Sequence, residues 1–235
     1  MATQQAPTDE PRLPLSRERV LRAAIDLADE AGLDSLSMRK LGQALGVEAM
    51  SLYNHVANKD DILNGIVEIV ESGIELPSPG SEWKGSLRRT ALSAHDVFER
   101  HPWAASLALS AAGARPIRWR YMNAILGCLR VAGFSAEMTD HAYHALESHV
   151  AGFTLWSSQL KVDDSALADL ASTFLDELPE DLPYLAEHVH QHLKERRPDD
   201  EGSFAFGLDL ILDGLERKLR PGDGPRLEGS PGSAT

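Results

Sequence analysis

The sequence predicts an all-α fold, and three observations carry that prediction. Apolar residues recur three and four apart through most of the chain, as in Val20, Leu21, Ala24, Ile25, Leu27, Ala28 and Ala31, which lines one face of a helix. No run rich in Val, Ile and Thr alternates with polar residues between turn signals, as a half-buried strand would require. Gly and Pro fall between the periodic segments, at Gly32, Gly46, Pro77, Pro79, Gly80, Pro102, Pro116, Gly133, Pro179, Pro183 and Pro198, where they start or stop helices.

Residues 1–14 hold Pro7, Pro11 and Pro14 among polar side chains and read as a flexible arm, with Arg12 able to brush a minor groove. The first helix runs from Ser16 to Ala31 and Gly32 ends it. The stretch 35–59, SLSMRKLGQALGVEAMSLYNHVANK, then sets a short helix, a turn at Leu45-Gly46-Val47 and a second short helix from about Glu48 to Asn54. Gly46 supplies the positive φ that ends the first of the pair. Leu41, Leu45, Val47, Leu52 and Val56 are apolar positions that pin two short helices at a steep angle.

This is the plan of a helix-turn-helix, whose second helix offers its N-terminal half to base edges in a major groove. Glu48, Ala49, Met50, Ser51 and Asn54 lie there, and Tyr53 and His55 accompany them. Ser37 is the N-cap of the first helix, whose exposed N–H groups can grip a phosphate, while Arg39, Lys40 and Lys59 neutralise phosphates on either side. A fourth, linking helix begins at Asn58 and carries Ile62, Leu63, Ile66, Val67, Ile69, Val70 and Ile74. Asp60 and Asp61 are its first-turn anions, capped by Asn58. The body that follows reads as helices over about 82–100, 104–113, 116–132, 136–160, 164–175, 182–195 and 204–220. The last fifteen residues, PGDGPRLEGSPGSAT, lack core-forming content and read as a disordered tail.

The run LSMRKLGQALGVEAMSLYNHVANKDDIL resembles the tetracycline-repressor (TetR) family of bacterial transcriptional regulators across both helices and into the next. RVAGFSAEMTDHAYHALESHVAGFTL and FAFGLDLILDGLERKL resemble the C-terminal domain of its tetracycline-repressor branch. The resemblance implies that Tyr53, His55, Lys59 and the N-cap Ser37 contact the phosphate backbone and that Arg39 lies at the operator. Ala49 and Met50 stand where tetracycline repressors carry a Gln and a Pro that touch bases, so a different operator is expected. Small and apolar side chains there suit thymine methyl groups.

The same resemblance implies four parts: the arm 1–14, a DNA-binding domain with its linking helix over 15–76, a ligand-binding and dimerisation domain over 81–220, and the tail 221–235. Helices near 136–160 and 204–220 would pair with their mates in a second copy, with Leu208, Ile211, Leu212 and Leu215 at that face. A homodimer suits a palindromic operator, since two coupled heads turn weak half-site affinity into useful affinity. A pocket for a small-molecule inducer would draw on His95, Phe98, Trp103, Trp119, Met122, His149, Phe153 and Trp156. The His and Glu that hold a magnesium–drug chelate in tetracycline repressors correspond to Ala111 and Leu160. Neither magnesium nor tetracycline is therefore expected, and no cofactor is implied.

Composition narrows the remaining classes. The formal net charge of -13 argues against a nucleic-acid partner; within residues 35–59, Arg39, Lys40 and Lys59 against Glu48 give +2, and adding Asp34, Asp60 and Asp61 turns the sum to -1. The acidity downstream would keep the rest of the protein off DNA. One cysteine, Cys128, excludes an internal disulfide. No signal-peptide pattern or membrane-length apolar run is present, so a cytoplasmic protein is expected. His141, His144 and His149, like His188, His190 and His192, read as solvated histidines and not as a metal site. No HExxH, nucleophile elbow or Gly-rich phosphate loop is present, so an enzyme is not expected. The competing reading is a helical protein-interaction module, or a regulator that needs a corepressor.

Overall fold

The computed structural model of the protein describes residues 14–78, 80–109, 115–159, 164–179, 181–194 and 201–219. Among the described residues every regular element is helical. The chain divides into two compact units between Ile69 and Val70, inside the fourth helix.

In the first unit α1 (Arg17–Ala31) starts at Ser16, whose hydroxyl accepts from the Arg19 N–H, and stops at Gly32 with φ 73°. A short 3-10 turn, Leu33–Ser35, leads to α2 (Met38–Leu45), capped by Ser37 and closed by Gly46 in the left-handed region at φ 67°, ψ 34°. These ends follow the sequence because caps are local. Next come α3 (Ala49–Leu52) and α4 (Lys59–Glu71). Val20, Leu21, Ala24, Leu36, Leu41, Leu52, Val56 and Ile62 are among the buried side chains.

Two of these helices are shorter than expected. Helix α3 gives way after Leu52 to a turn in which the Tyr53 N–H reaches Met50 O at 3.3 Å and the His55 N–H reaches Leu52 O at 2.9 Å, the tighter i→i−3 pattern. Helix α4 stops at Glu71, short of Ile74, because Ser72-Gly73 turns the chain, with the Gly73 N–H on Val70 O at 3.0 Å. The Glu75 N–H is then taken by Ser93 Oγ at 2.9 Å.

The second unit contains α5 (Trp83–Arg100), α6 (Pro102–Leu109), α7 (Pro116–Val131), α8 (Ala136–Gln159), α9 (Asp164–Glu177), α10 (Pro183–Lys194) and α11 (Glu201–Leu219). Pro102 opens α6, two residues before the 104 expected from sequence; proline's missing N–H costs nothing at the first helical position. Helices α5 and α8 are central: each packs on α6, α7 and α11, and on the other, while α9 packs on α10. Lys84 and Arg88 of α5 pair with Asp209, Asp213 and Glu216 of α11 at 2.6–2.8 Å, a ladder on the outside of the packed face.

Leu208, Leu212 and Leu215 correct an expectation. Placed by sequence at a dimer face, they are buried within the protomer, and Ile211 is half-buried. The apolar stripe of α11 is the one that packs on α5 and α8 of the same chain. Phe206 and Leu210 are its exposed apolar residues.

Candidate nucleic-acid interface

The reading head is built around a close approach of α2 and α3. A Cβ at Gly42 would stand 2.8 Å from Val47 O and 3.2 Å from Ala49 N, and the Val47 N–H bonds Gly42 O at 2.9 Å. Gly42 therefore lets the turn fold back on α2. A glycine inside a periodic helix costs about 1 kcal/mol and signals such a packing demand, a signal the sequence reading passed over.

Packing Leu52 inward turns its neighbours out. Met50 is 74% exposed and Tyr53 47%; Glu48 and Asn54 are exposed, and Ala49, Ser51 and His55 half-buried. Glu48 occupies the N-cap of α3 without a side-chain capping bond. Ser37, Arg39, Lys40 and Lys59 are all exposed. Ser37 Oγ accepts the Lys40 N–H at 3.3 Å, which leaves its own O–H proton to donate to a phosphate.

Sequence reasoning missed the brace beneath this surface. Arg17 at the start of α1 grips Asp61 of α4 bidentately, Nη1 to Oδ2 and Nη2 to Oδ1 both at 2.7 Å, and Nη1 lies 3.5 Å from His55 O. Asp61 Oδ2 also accepts the Ala57 N–H at 2.9 Å, and Asn58 Oδ1 accepts the Asp61 N–H at 2.8 Å. The segment carrying His55 and Lys59 is thus tied at both ends. No local pattern pairs residues 44 positions apart.

The hydrogen bonds from Arg17, then that from Ala57, hold the Asp61 carboxyl down to about 2, against an ordinary 3.8. Because the folded value lies below the unfolded one, the contribution is whole above about pH 4 and is lost as pH falls towards 2. The two side chains are 46% and 29% exposed, so screening limits the pair to about 1 kcal/mol. In Arg17→Met the pKa of the Asp61 carboxyl, followed by NMR, should rise from about 2 towards its ordinary value, held partly down by the Ala57 N–H that remains. The same variant should bind any duplex roughly 5- to 10-fold more weakly, equivalent to about 1 kcal/mol, with an unchanged salt slope. A reduced slope would show that Arg17 itself touches phosphate.

The pocket residues expected from sequence do not converge. Phe98 lines a small cavity of about 10 Å³, with Ala105, Ala108, Arg118, Tyr121, Glu147, Val150 and Ala151. The other candidates lie outside that lining. His95 and His149 sandwich Phe204 at ring-centroid distances of 4.1 and 4.7 Å, and Phe153 meets it edge-on at 5.4 Å. Trp103 is buried and Met122 half-buried, whereas Trp119 and Trp156 are 58% and 51% exposed. Ala111 and Leu160 lie outside the described residues.

At the cavity wall Tyr121 donates its O–H to Glu147 Oε1 at 2.7 Å, and Arg118 Nη2 pairs with Glu147 Oε2. Burial, then the Glu147 carboxylate, pushes the Tyr121 phenol well above its ordinary value, so it remains a donor. Burial opposes the charge on Arg118, but Glu147 outweighs it and keeps the guanidinium cationic. The Cys128 thiol is raised by burial and by Glu82, which leaves it a poor nucleophile. His141 and His144 are exposed and lie beside Glu137 and Asp140 of their own helix. Among the described residues no three His, Cys, Asp or Glu side chains are grouped to hold a metal, and no helix is long and apolar enough to cross a membrane.

Comparison with known proteins places this geometry. Residues 20–66 match the family described as bacterial regulatory proteins, tetR family, and residues 76–219 match the tetracyclin repressor-like C-terminal domain. The chain is 32% identical over 210 residues to the class D tetracycline repressor protein of Escherichia coli, covering 87% of this chain and 91% of that one. It is 29% identical over 224 residues to the HTH-type transcriptional repressor DrrR1 of Streptomyces coeruleorubidus, covering 91% and 82%. The structure of ActR from Streptomyces coelicolor in complex with actinorhodin superposes with a TM-score of 0.68 at 29% identity, covering 88% of this chain and 99% of that one. With a helix-turn-helix unit, a helical body and matches to both family domains, the chain belongs to the TetR family of ligand-responsive, DNA-binding transcriptional repressors.

Proposed function

We propose that the protein binds a palindromic operator as a homodimer through residues 15–76 and is released when a small-molecule inducer enters the body, residues 81–220. The observation that carries this reading is the head itself: a four-residue α3 with Met50 exposed, flanked by exposed Ser37, Arg39, Lys40, Tyr53 and Lys59 on a braced turn. Ser37, Tyr53, His55 and Lys59 hold phosphates and fix the register. Glu48, Ala49, Met50, Ser51 and Asn54 face the bases. Exposed Phe206 and Leu210 of α11 and Trp156 of α8 supply the face that meets the second copy.

By likeness to the actinorhodin-bound relative, the inducer is a small molecule held in the helical body. Induction needs only that it bind the released state more tightly than the operator-bound one. The protein works in the cytoplasm as a transcription factor and carries no catalytic centre.

Removing one phosphate contact separates this function from general stickiness. Lys59→Ala should weaken binding to specific and random duplexes alike and lower the slope of log affinity against log salt by about 1 per head. Met50→Gln should leave that slope alone and change which base is preferred at one position of each half-site, by about 1–3 kcal/mol. If Lys59→Ala kept the wild-type slope and Met50→Gln kept the wild-type base preference, the interface assignment would fail.

A further inference from the structure

Helices α9 and α10 are the least covered part of the second unit. Among the described residues no side chain of either is buried, and each helix packs chiefly on the other. Phe174 of α9 is exposed, and so are Leu182, Tyr184 and Leu185 where α10 begins, Tyr184 at 85%. Helices of 14 and 12 residues are marginal in water unless an apolar face packs on something. The pair is also acidic, with seven Asp and Glu residues against a single lysine over residues 164–194.

The outer face of α7 is its complement. Tyr121, Ile125 and Leu129 turn inward, and Arg118 is tied to Glu147. Trp119, Arg120, Asn123, Gly127, Arg130 and Val131 are left exposed, Val131 at 83%. The exposed face thus carries two guanidinium groups with an apolar side chain near each end, and no Asp or Glu occurs anywhere in Pro116–Val131. Gly127 lies near its middle. A glycine inside a helix is costly, and a Cβ there would meet nothing within 4 Å, so the described residues of the protomer supply no reason for it. Bare backbone at that point lets a second helix come close.

The connectivity brings the hairpin to the partner. It is spliced between α8 and α11; Trp156 lies in the last turn of α8, and Phe206 in the second turn of α11. Both are exposed, so both ends of the hairpin leave from the face assigned to the second copy. Helix α7 has 16 residues and α9 has 14, roughly 24 and 21 Å, so one can lie along the other. Resting on the homodimer reading, we propose that the α9–α10 hairpin of each protomer clasps α7 of its partner. Phe174, Leu182, Tyr184 and Leu185 then cover Trp119 and Val131, and carboxylates such as Asp176 and Glu177 meet Arg120 and Arg130. In a two-fold pair the match is made twice, once in each direction. Charge matching serves selectivity more than strength, so the clasp makes this chain pair with its own kind.

The test uses the full-length protein with Cys128→Ser, which leaves introduced thiols only. A tagged chain with Asn123→Cys or Val131→Cys is co-expressed with an untagged chain carrying Asp176→Cys or Tyr184→Cys, and a short bis-maleimide is added to the purified dimer. At least one pairing should give a covalent dimer on a denaturing gel, and chains carrying only one of the two positions should give none. In sedimentation, Arg120→Glu with Arg130→Glu should weaken the dimer about tenfold, and adding Asp176→Lys with Glu177→Lys should recover most of that loss. A folded dimer in which no pairing cross-links, or whose dissociation ignores the charge reversal, would overturn the clasp and leave the homodimer reading standing. So would a link formed only within one chain carrying both cysteines, which would place the hairpin on its own α7. A protein that stays monomeric would overturn both.

Discussion

Replacing Gly42 by Val is expected to lower operator affinity more than 100-fold while leaving the helical body folded. The Cβ alone would come within 2.8 Å of Val47 O and 3.2 Å of Ala49 N. Both are backbone atoms of the turn and of α3, so no flexible side-chain end can move aside. Val adds two methyl groups to that contact. Overpacking of this kind costs roughly 1–3 kcal/mol per head, and a dimer must seat two heads, so the loss spans roughly 2–6 kcal/mol, and a backbone clash below 3 Å puts it above about 2.8 kcal/mol, or 100-fold. Gly42→Ala should be milder, because it brings only the Cβ into that contact and none of the two further methyl groups of valine. Fluorescence anisotropy with a labelled operator should rank glycine first, alanine second and valine last. Valine binding as well as glycine would mean that the turn does not pack so closely on α2.

Phe204→Ala should destabilise the second unit by about 3–5 kcal/mol. Phe204 is fully buried, between the rings of His95 on α5 and His149 on α8, with Phe153 edge-on. His149 Nε2 meets Phe204 O at 2.9 Å. This backbone contact can survive the substitution, so the loss is that of ring burial and stacking. At roughly 2–4 °C per kcal/mol for a unit of this size, the body transition in calorimetry should fall by about 10 °C. The larger Trp156 is half-exposed, and Trp156→Ala should cost under about 1 kcal/mol. Equal losses at both positions would contradict the burial of Phe204.

What the sequence revealed and what it hid divide by the range of the interactions. Ser16, Ser37, Gly32 and Gly46 mark helix ends because caps act within a few residues. The helix-turn-helix frame was legible, since Leu41, Leu52 and Val56 have to be buried and their neighbours then face outward. Leu208, Leu212 and Leu215 were legible as a buried stripe, but periodicity does not say which surface buries it, and here it is the same chain. The tryptophans misled for a related reason: Trp119 and Trp156 stand half in solvent, and the small cavity is lined instead by Phe98, Val150, Arg118, Tyr121, Glu147 and three alanines. Arg17 with Asp61, and Glu71 with Arg115, Arg118 and Glu147, join residues far apart in the chain. Such partners are chosen by tertiary packing alone.

The most direct test of the central claim is selection of bound sequences from a random duplex pool by the purified protein, at a stated salt concentration. A palindrome whose half-sites lie one helical turn apart is expected, with Lys59→Ala enriching the same sequence more weakly. No enrichment by a folded, dimeric protein would contradict operator recognition by this head, and would favour a corepressor-dependent regulator or a protein-interaction module.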